Sequence, residues 1–108
     1  MLTLNVTKND TIDLATARKI LTRVVNAFAV YREAKIRSKA EAVALGYFEG
    51  AIEIAAISLE TITPTELHFK LLDTFKAFGD RPAATASMNE RRDWINSVVN
   101  DMIGKVTK

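Results

Sequence analysis

The chain contains no cysteine, one histidine, one tryptophan, two prolines and four glycines in 108 residues. Without a thiol there is no disulfide framework and no thiolate chemistry, which fits a reducing compartment, and a cytoplasmic protein is expected. The four glycines are scattered and none follows a strand, so a phosphate-cradling loop is missing. The N-terminus, Met-Leu-Thr-Leu-Asn-Val-Thr, has neither a basic start nor a long apolar run, so no signal peptide is expected. Lys and Arg are absent from residues 41–66, which hold five Glu, whereas residues 1–40 hold eight Lys or Arg against three Asp or Glu. That asymmetry marks either an interaction surface or a basic helix paired with an acidic one inside the fold.

Glycine and proline are also missing from Thr11 to Leu45, so the backbone could continue as one long helix. At roughly 100° per residue its first half carries an apolar stripe of Leu14, Ala17, Ile20, Leu21, Val24, Val25, Phe28 and Tyr31. Continued past Ala40, that stripe lands on Glu49, Glu53 and Glu60. One straight helix cannot present both to a single core. A break between Arg32 and Ser38 resolves the conflict, and Ser38-Lys39-Ala40-Glu41 then reads as a capping box opening a second helix. On that reading proline at position 38 ought to be tolerated, because a cap admits what a helix interior does not.

The length allows a single domain over residues 1–108, and the apolar fraction of 48% excludes disorder. The expected fold is all-α, a four-helix bundle with its second helix central. Leu2, Leu4 and Val6 alternate with polar residues and form a short extended arm over residues 1–9. Helices are expected at about 11–36, 39–60, 64–78 and 88–103, the first capped by Asn9 or Asp10. The second is apolar nearly all round, from Val43 and Leu45 to Ile57 and Leu59, as a central helix would be. Its acids Glu41, Glu49 and Glu53 argue against a membrane span, each costing about 2.5 kcal/mol or more at bilayer depth. Thr63-Pro64-Thr65-Glu66 is the clearest helix start in the chain, with proline at the first helical position, and Gly79 ends that helix. Leu67, Leu71, Phe75 and Phe78 form its inner face. Ser87-Met88-Asn89-Glu90 opens the fourth helix, whose Ile95, Val98, Val99, Met102 and Ile103 turn inward.

Little in this pattern carries chemistry. A di-metal carboxylate bundle needs Glu-x-x-His pairs, but His68 follows Glu66 by two residues, about 200° round the helix. No metal, cofactor or catalytic residue is expected, because no triad can be assembled without a thiol or a Ser or Asp at a recognisable spacing. Helix-turn-helix reading of DNA is disfavoured, since the outer face of the third helix (Glu66, Lys70, Asp73, Ala77) is nearly neutral.

What remains is surface. Arg18, Lys19, Arg23, Arg32, Lys35, Arg37 and Lys39 gather seven of the fifteen basic residues into 22 positions. They form a candidate patch for an acidic protein or, with no aromatic interleaved for base stacking, for the phosphates of a nucleic acid. Arg32 and Lys35 lie where the core stripe should continue, so each needs a helix-two glutamate or an acidic partner. Phe69 points away from its helix's apolar face and Trp94 lies at the margin of its own, which suits a protein interface. Ala42, Gly46 and Gly50 make a smooth track on helix two along which another backbone could approach, a homodimer being one such case. The expected function is therefore non-catalytic binding of another macromolecule, as adaptor, inhibitor or assembly factor, with nucleic-acid binding as the alternative.

Overall fold

A computed structural model of the chain describes residues 13–83 and 85–106. Four α-helices account for most of it: α1 (Leu14–Glu33), α2 (Lys39–Leu59), α3 (Pro64–Phe78) and α4 (Met88–Val106). Each packs on two neighbours, α1 on α2 and α4, and α3 on α2 and α4, so the helices stand as a four-membered bundle. The expected all-α fold is the observed one, and no strand occurs among the described residues. The arm expected at residues 1–9 lies outside the described residues.

Two of the four helix starts, those of α3 and α4, are reciprocal capping boxes, and α2 has half of one, its Glu41 carboxylate accepting from the Arg37 N–H instead. Ser38 caps α2 with its Oγ accepting from the Glu41 N–H at 3.0 Å. Thr63 and Glu66 exchange both bonds of the box at 3.1 and 3.0 Å, and the Thr63 N–H holds the Glu66 carboxyl below its ordinary range. Ser87 and Glu90 do the same at 3.1 Å each way. The start of α1 differs from expectation. Its cap is Asp13, accepting from the Thr16 N–H at 2.9 Å, and neither Asn9 nor Asp10 can serve a helix that begins at Leu14.

The break between α1 and α2 is real, but proline at position 38 is not compatible with it. Arg37 takes a left-handed conformation with φ 65°, which a following proline disfavours. The Ser38 N–H also donates to the Lys35 carbonyl at 3.1 Å.

The core gathers one face of every helix. Leu21, Val24, Val25 and Phe28 of α1 meet Phe48, Ile52 and Leu59 of α2, Leu67, Leu71 and Phe75 of α3, and Val98, Val99 and Met102 of α4. Leu14 and Phe78, assigned inward by periodicity, sit at helix ends and are exposed. At the centre the Phe28 ring lies 4.9 Å from Phe48 and 4.8 Å from Phe75. His68 sets its ring edgewise on Phe28 and Phe48, a boundary residue as its place on α3 suggested. Thr74, fully buried, is satisfied by a closed network: it donates to Asp101 at 2.9 Å and accepts from Lys105 at 2.7 Å. The Lys105 hydrogen bond, with help from Thr74, holds the Asp101 carboxyl below its ordinary range.

The end of α2 carries a correctable fault. Its last residue before the turn, Glu60, is left-handed at φ 60°, and no basic residue sits in the last turn. A side chain in that region costs about 1–2 kcal/mol, and a negative charge at a helix C-terminus opposes the dipole. Glu60→Gly is expected to stabilise the protein by about 0.5–1 kcal/mol after the added entropy of the unfolded chain. A urea midpoint that falls, at unchanged slope, would show that this carboxylate does something the bundle needs.

Candidate functional site

The second helix is not enclosed by its neighbours, contrary to the expectation from its all-round apolar sequence. One face, with Ala44, Phe48, Ile52, Ala55, Ala56 and Leu59, is buried. The opposite side is equally apolar and open: Val43 is 67% exposed, Tyr47 66%, Ile54 68% and Ile57 73%. With Ala40 and Gly50, also exposed, these residues follow one another at alternating steps of three and four. That is the spacing of a seam on which a second helix lies. Four large exposed apolar side chains along one helix face are unusual on a monomer's surface, where such residues occur singly.

Two hollows deepen the seam where α1 and α2 meet. One of about 380 Å³ is lined by Ile20, Arg23 and Val24 of α1 and by Gly46, Tyr47, Gly50, Ala51, Ile54 and Ala55 of α2. The other lies further toward the α1–α2 turn, between Val30 and the stretch Lys39, Ala40, Val43, Ala44 and Tyr47. Gly46 and Gly50 widen the first. A Cβ added at either would meet nothing within 4 Å, so packing within the chain does not demand glycine there. Each costs the helix about 1 kcal/mol relative to alanine.

The edges of this face are charged with opposite signs. On the α3 side stand Glu49 and Glu53, with Glu60 beyond them; on the α1 side stand Lys19 and Arg23. All five are exposed. Among the described residues the salt bridges are Arg32–Asp80, Arg81–Glu33 and Lys105–Asp101. The basic α1 and acidic α2 therefore do not neutralise each other inside the fold.

The seven cations singled out in the sequence do not form one patch. Arg18 turns toward α4 and donates to Asn100 at 2.6 Å. Arg32 closes the open end of the core: its guanidinium lies 5.6 Å from the Phe28 ring centre and 5.7 Å from that of Phe75. Its ion partner is Asp80 in the α3–α4 connection at 2.6 Å, neither a helix-two glutamate nor an outside surface. Lys19 and Arg23 remain on the outer face, and Lys35, Arg37 and Lys39 are exposed around the α1–α2 turn.

The aromatic candidates divide as well. Phe69 is 63% exposed, as its position on α3 implied. Trp94 is buried, with its ring edge-on to Phe75 at 5.3 Å and its indole N–H donating to the Gly79 carbonyl at 3.1 Å. It holds the α3–α4 connection to α4, with its ring turned into the core. Arg91 is half-buried beside Thr22, Asn26 and Arg81.

Sequence reasoning missed a crossed clamp. The adjacent pair Arg32-Glu33 meets the adjacent pair Asp80-Arg81 with opposite charges matched: Arg32 to Asp80, and Arg81 to Glu33 through two bonds of 2.9 and 2.8 Å. Arg81 also donates to Asn26 at 3.3 Å. Alternation of sign in both dipeptides was the available signal, although nothing periodic links positions 48 residues apart.

Among the described residues no group of three His, Asp or Glu side chains is placed to hold a metal ion. By length and composition α2 would pass for a membrane span: it is 21 residues long, and a stretch of 18 within it reaches a mean hydropathy of 1.5. Mostly buried core helices pass the same test; α2 gives Phe48, Ile52 and Leu59 to this core, but only 33% of that stretch is buried.

Fold and surface together define a class: a four-helix bundle with one outer apolar face, grooved and bordered by unlike charges. Comparison with protein-family models, with curated proteins and with solved structures gives no match for the chain.

Proposed function

We propose that this protein is a non-catalytic binding module, an adaptor, inhibitor or assembly factor, whose working surface is the outer face of α1 and α2. The observation that carries the reading is the exposed line Val43, Tyr47, Ile54 and Ile57, each about two-thirds open to solvent. An apolar strip with charged margins is the anatomy of a protein–protein interface. The reading takes the protein as cytoplasmic, in keeping with a chain that has no cysteine. Among the described residues the buried polar group is Thr74; it is satisfied by Asp101 and Lys105, and none of the three lines the grooved face.

Nucleic-acid binding is the competing reading. Two of the seven sequence-selected cations, Arg18 and Arg32, are engaged within the chain, which weakens it. One experiment separates the two. Tagged wild type and Ile54→Glu are compared for protein capture in the native host and for retention on a polyanion column. The expected result is a captured protein lost with Ile54→Glu, at unchanged thermal stability, and no polyanion retention at low salt. Retention that falls with salt at a log–log slope of roughly −3 to −4, the signature of about four phosphate contacts, would overturn the protein-binding reading.

A further inference from the structure

We infer that the occupant of the α1–α2 face is a second copy of this chain, paired about a two-fold axis that runs parallel to α2. The inference rests on the function proposed above and names the partner for that surface.

The strongest argument is charge placement. When two helices lie seam to seam in parallel, the left flank of one meets the right flank of the other; when antiparallel, like flanks meet. Here one flank is acidic, through Glu49 and Glu53, and the other basic, through Arg23 and Lys19 of the neighbouring α1. A parallel pair therefore brings acid against base on both sides of the axis. An antiparallel pair brings acid against acid and base against base. Only the parallel arrangement is self-complementary.

The axial levels agree with it. Arg23 lines the same hollow as Gly50, so the two stand at one height along the bundle. A two-fold parallel to the helices preserves height. Arg23 of one copy then faces the turn that carries Glu49 and Glu53 in the other, and Lys19, one turn away, faces Glu53 from the far side. All four side chains are exposed and in no salt bridge among the described residues. The register also gives the glycines a use. With Tyr47 and Ile54 in equivalent layers, the Tyr47 ring of the second copy comes down where Gly46 and Gly50 leave open space.

The size is adequate. The 21 residues of α2 span about 30 Å, and two packed helices present a face about 20 Å wide. That projects roughly 600 Å², near the roughly 800 Å² that each partner contributes to a standard interface once side-chain relief is added. A lipid surface fits less well. Helices that lie in a membrane interface carry Lys and Arg along their polar margin, and an anionic leaflet repels a row of glutamates.

The test is sedimentation equilibrium of the full chain from low to high micromolar concentration, with charge-reversal variants. The expected species has twice the 12.0 kDa chain mass. Ile54→Glu should abolish it without loss of helix, since Ile54 is 68% exposed in the single chain. Arg23→Glu and Glu53→Arg should each weaken association by roughly tenfold or more, every change being felt twice across the axis. The double variant should restore most of the loss.

A wild type that stays at the single-chain mass overturns the second-copy inference. The binding-module reading then stands or falls separately, on whether Ile54→Glu abolishes capture of a different protein. A monomer in which footprinting shows Tyr47 and Ile54 shielded until residues 1–12 are removed would assign the face to the chain's own N-terminal segment. Flotation of wild type, but not Ile54→Glu, with phosphatidylserine-containing vesicles would assign it to lipid. Both results contradict the inference. A dimer that tightens on Arg23→Glu would contradict the parallel axis, because only like-charge flanks are relieved by that change.

Discussion

Phe28→Ala is expected to cost about 3–5 kcal/mol of stability, the range for a buried aromatic replaced by alanine. The ring is 2% exposed and is shared by three helices, with Phe48 of α2 and Phe75 of α3 both within 5 Å of its centre. His68 and the Arg32 guanidinium also rest against it, so no single neighbour can move in to fill the void. Since the loss scales with the cavity that remains, the value should fall in the upper half of the range. Against a total stability of about 5–15 kcal/mol for an ordinary domain, a bundle at the low end of that range would be brought near its folding midpoint at room temperature. Phe69→Ala supplies the contrast. The same change of residue type at a 63% exposed site should stay within about 0.5 kcal/mol. Urea unfolding followed by circular dichroism reads both; a Phe28→Ala loss under 1 kcal/mol would mean that the aromatic centre is not where the helices are joined.

The contrast between these two phenylalanines was visible in the sequence. Phe28 continues a stripe of period 3.6, while Phe69 lies outside the stripe of its own helix. The helix starts were equally legible wherever Ser or Thr precedes Glu by three residues, because each partner satisfies a backbone N–H left bare at a helix start. Where that reciprocity is missing, as at the start of α1, the sequence pointed to Asn9 or Asp10 and passed over Asp13, because any of these side chains can cap a helix.

The candidate site was harder to read, for a physical reason. In α2 two apolar faces, one centred on Phe48 and Ile52 and one on Tyr47 and Ile54, merge into a helix that is apolar nearly everywhere. Periodicity reports which residues share a face; it does not report whether a neighbour covers that face. A helix enclosed on all sides and a helix with a second docking surface therefore look alike in sequence. The basic residues posed the converse problem. Lys19 and Arg23 differ from Arg18 and Arg32 only in where they point: the first two outward, the third to Asn100 of α4, and the fourth over the mouth of the core to Asp80. Those partners sit 82 and 48 residues away, beyond any local pattern.

Trp94→Ala is expected to approach the same loss, about 3–5 kcal/mol, but to spread differently through the structure. The indole fills core volume beside Phe75 and also fixes a piece of backbone, through the bond from its N–H to the Gly79 carbonyl. Gly79 is the turning point of the chain after α3, with φ 80°, and the next two residues are Asp80 and Arg81 of the crossed clamp. If Trp94 sets the position of that turn, removing its hydrogen bond alone should loosen the clamp. Trp94→Phe isolates the bond from most of the packing and is expected to cost about 1 kcal/mol. Arg81→Ala removes the two-bond pair with Glu33 and the contact with Asn26. Its side chain is only 16% exposed, so its loss should exceed the 0–1 kcal/mol of a fully solvated pair. The double variant Trp94→Phe with Arg81→Ala is then expected to cost less than the sum of the two, by at least about 0.5 kcal/mol, because the first change has already released what the second removes. Additivity within about 0.3 kcal/mol would show instead that the connection is held at two independent points, and that Arg81 finds Glu33 whether or not the tryptophan holds Gly79 in place.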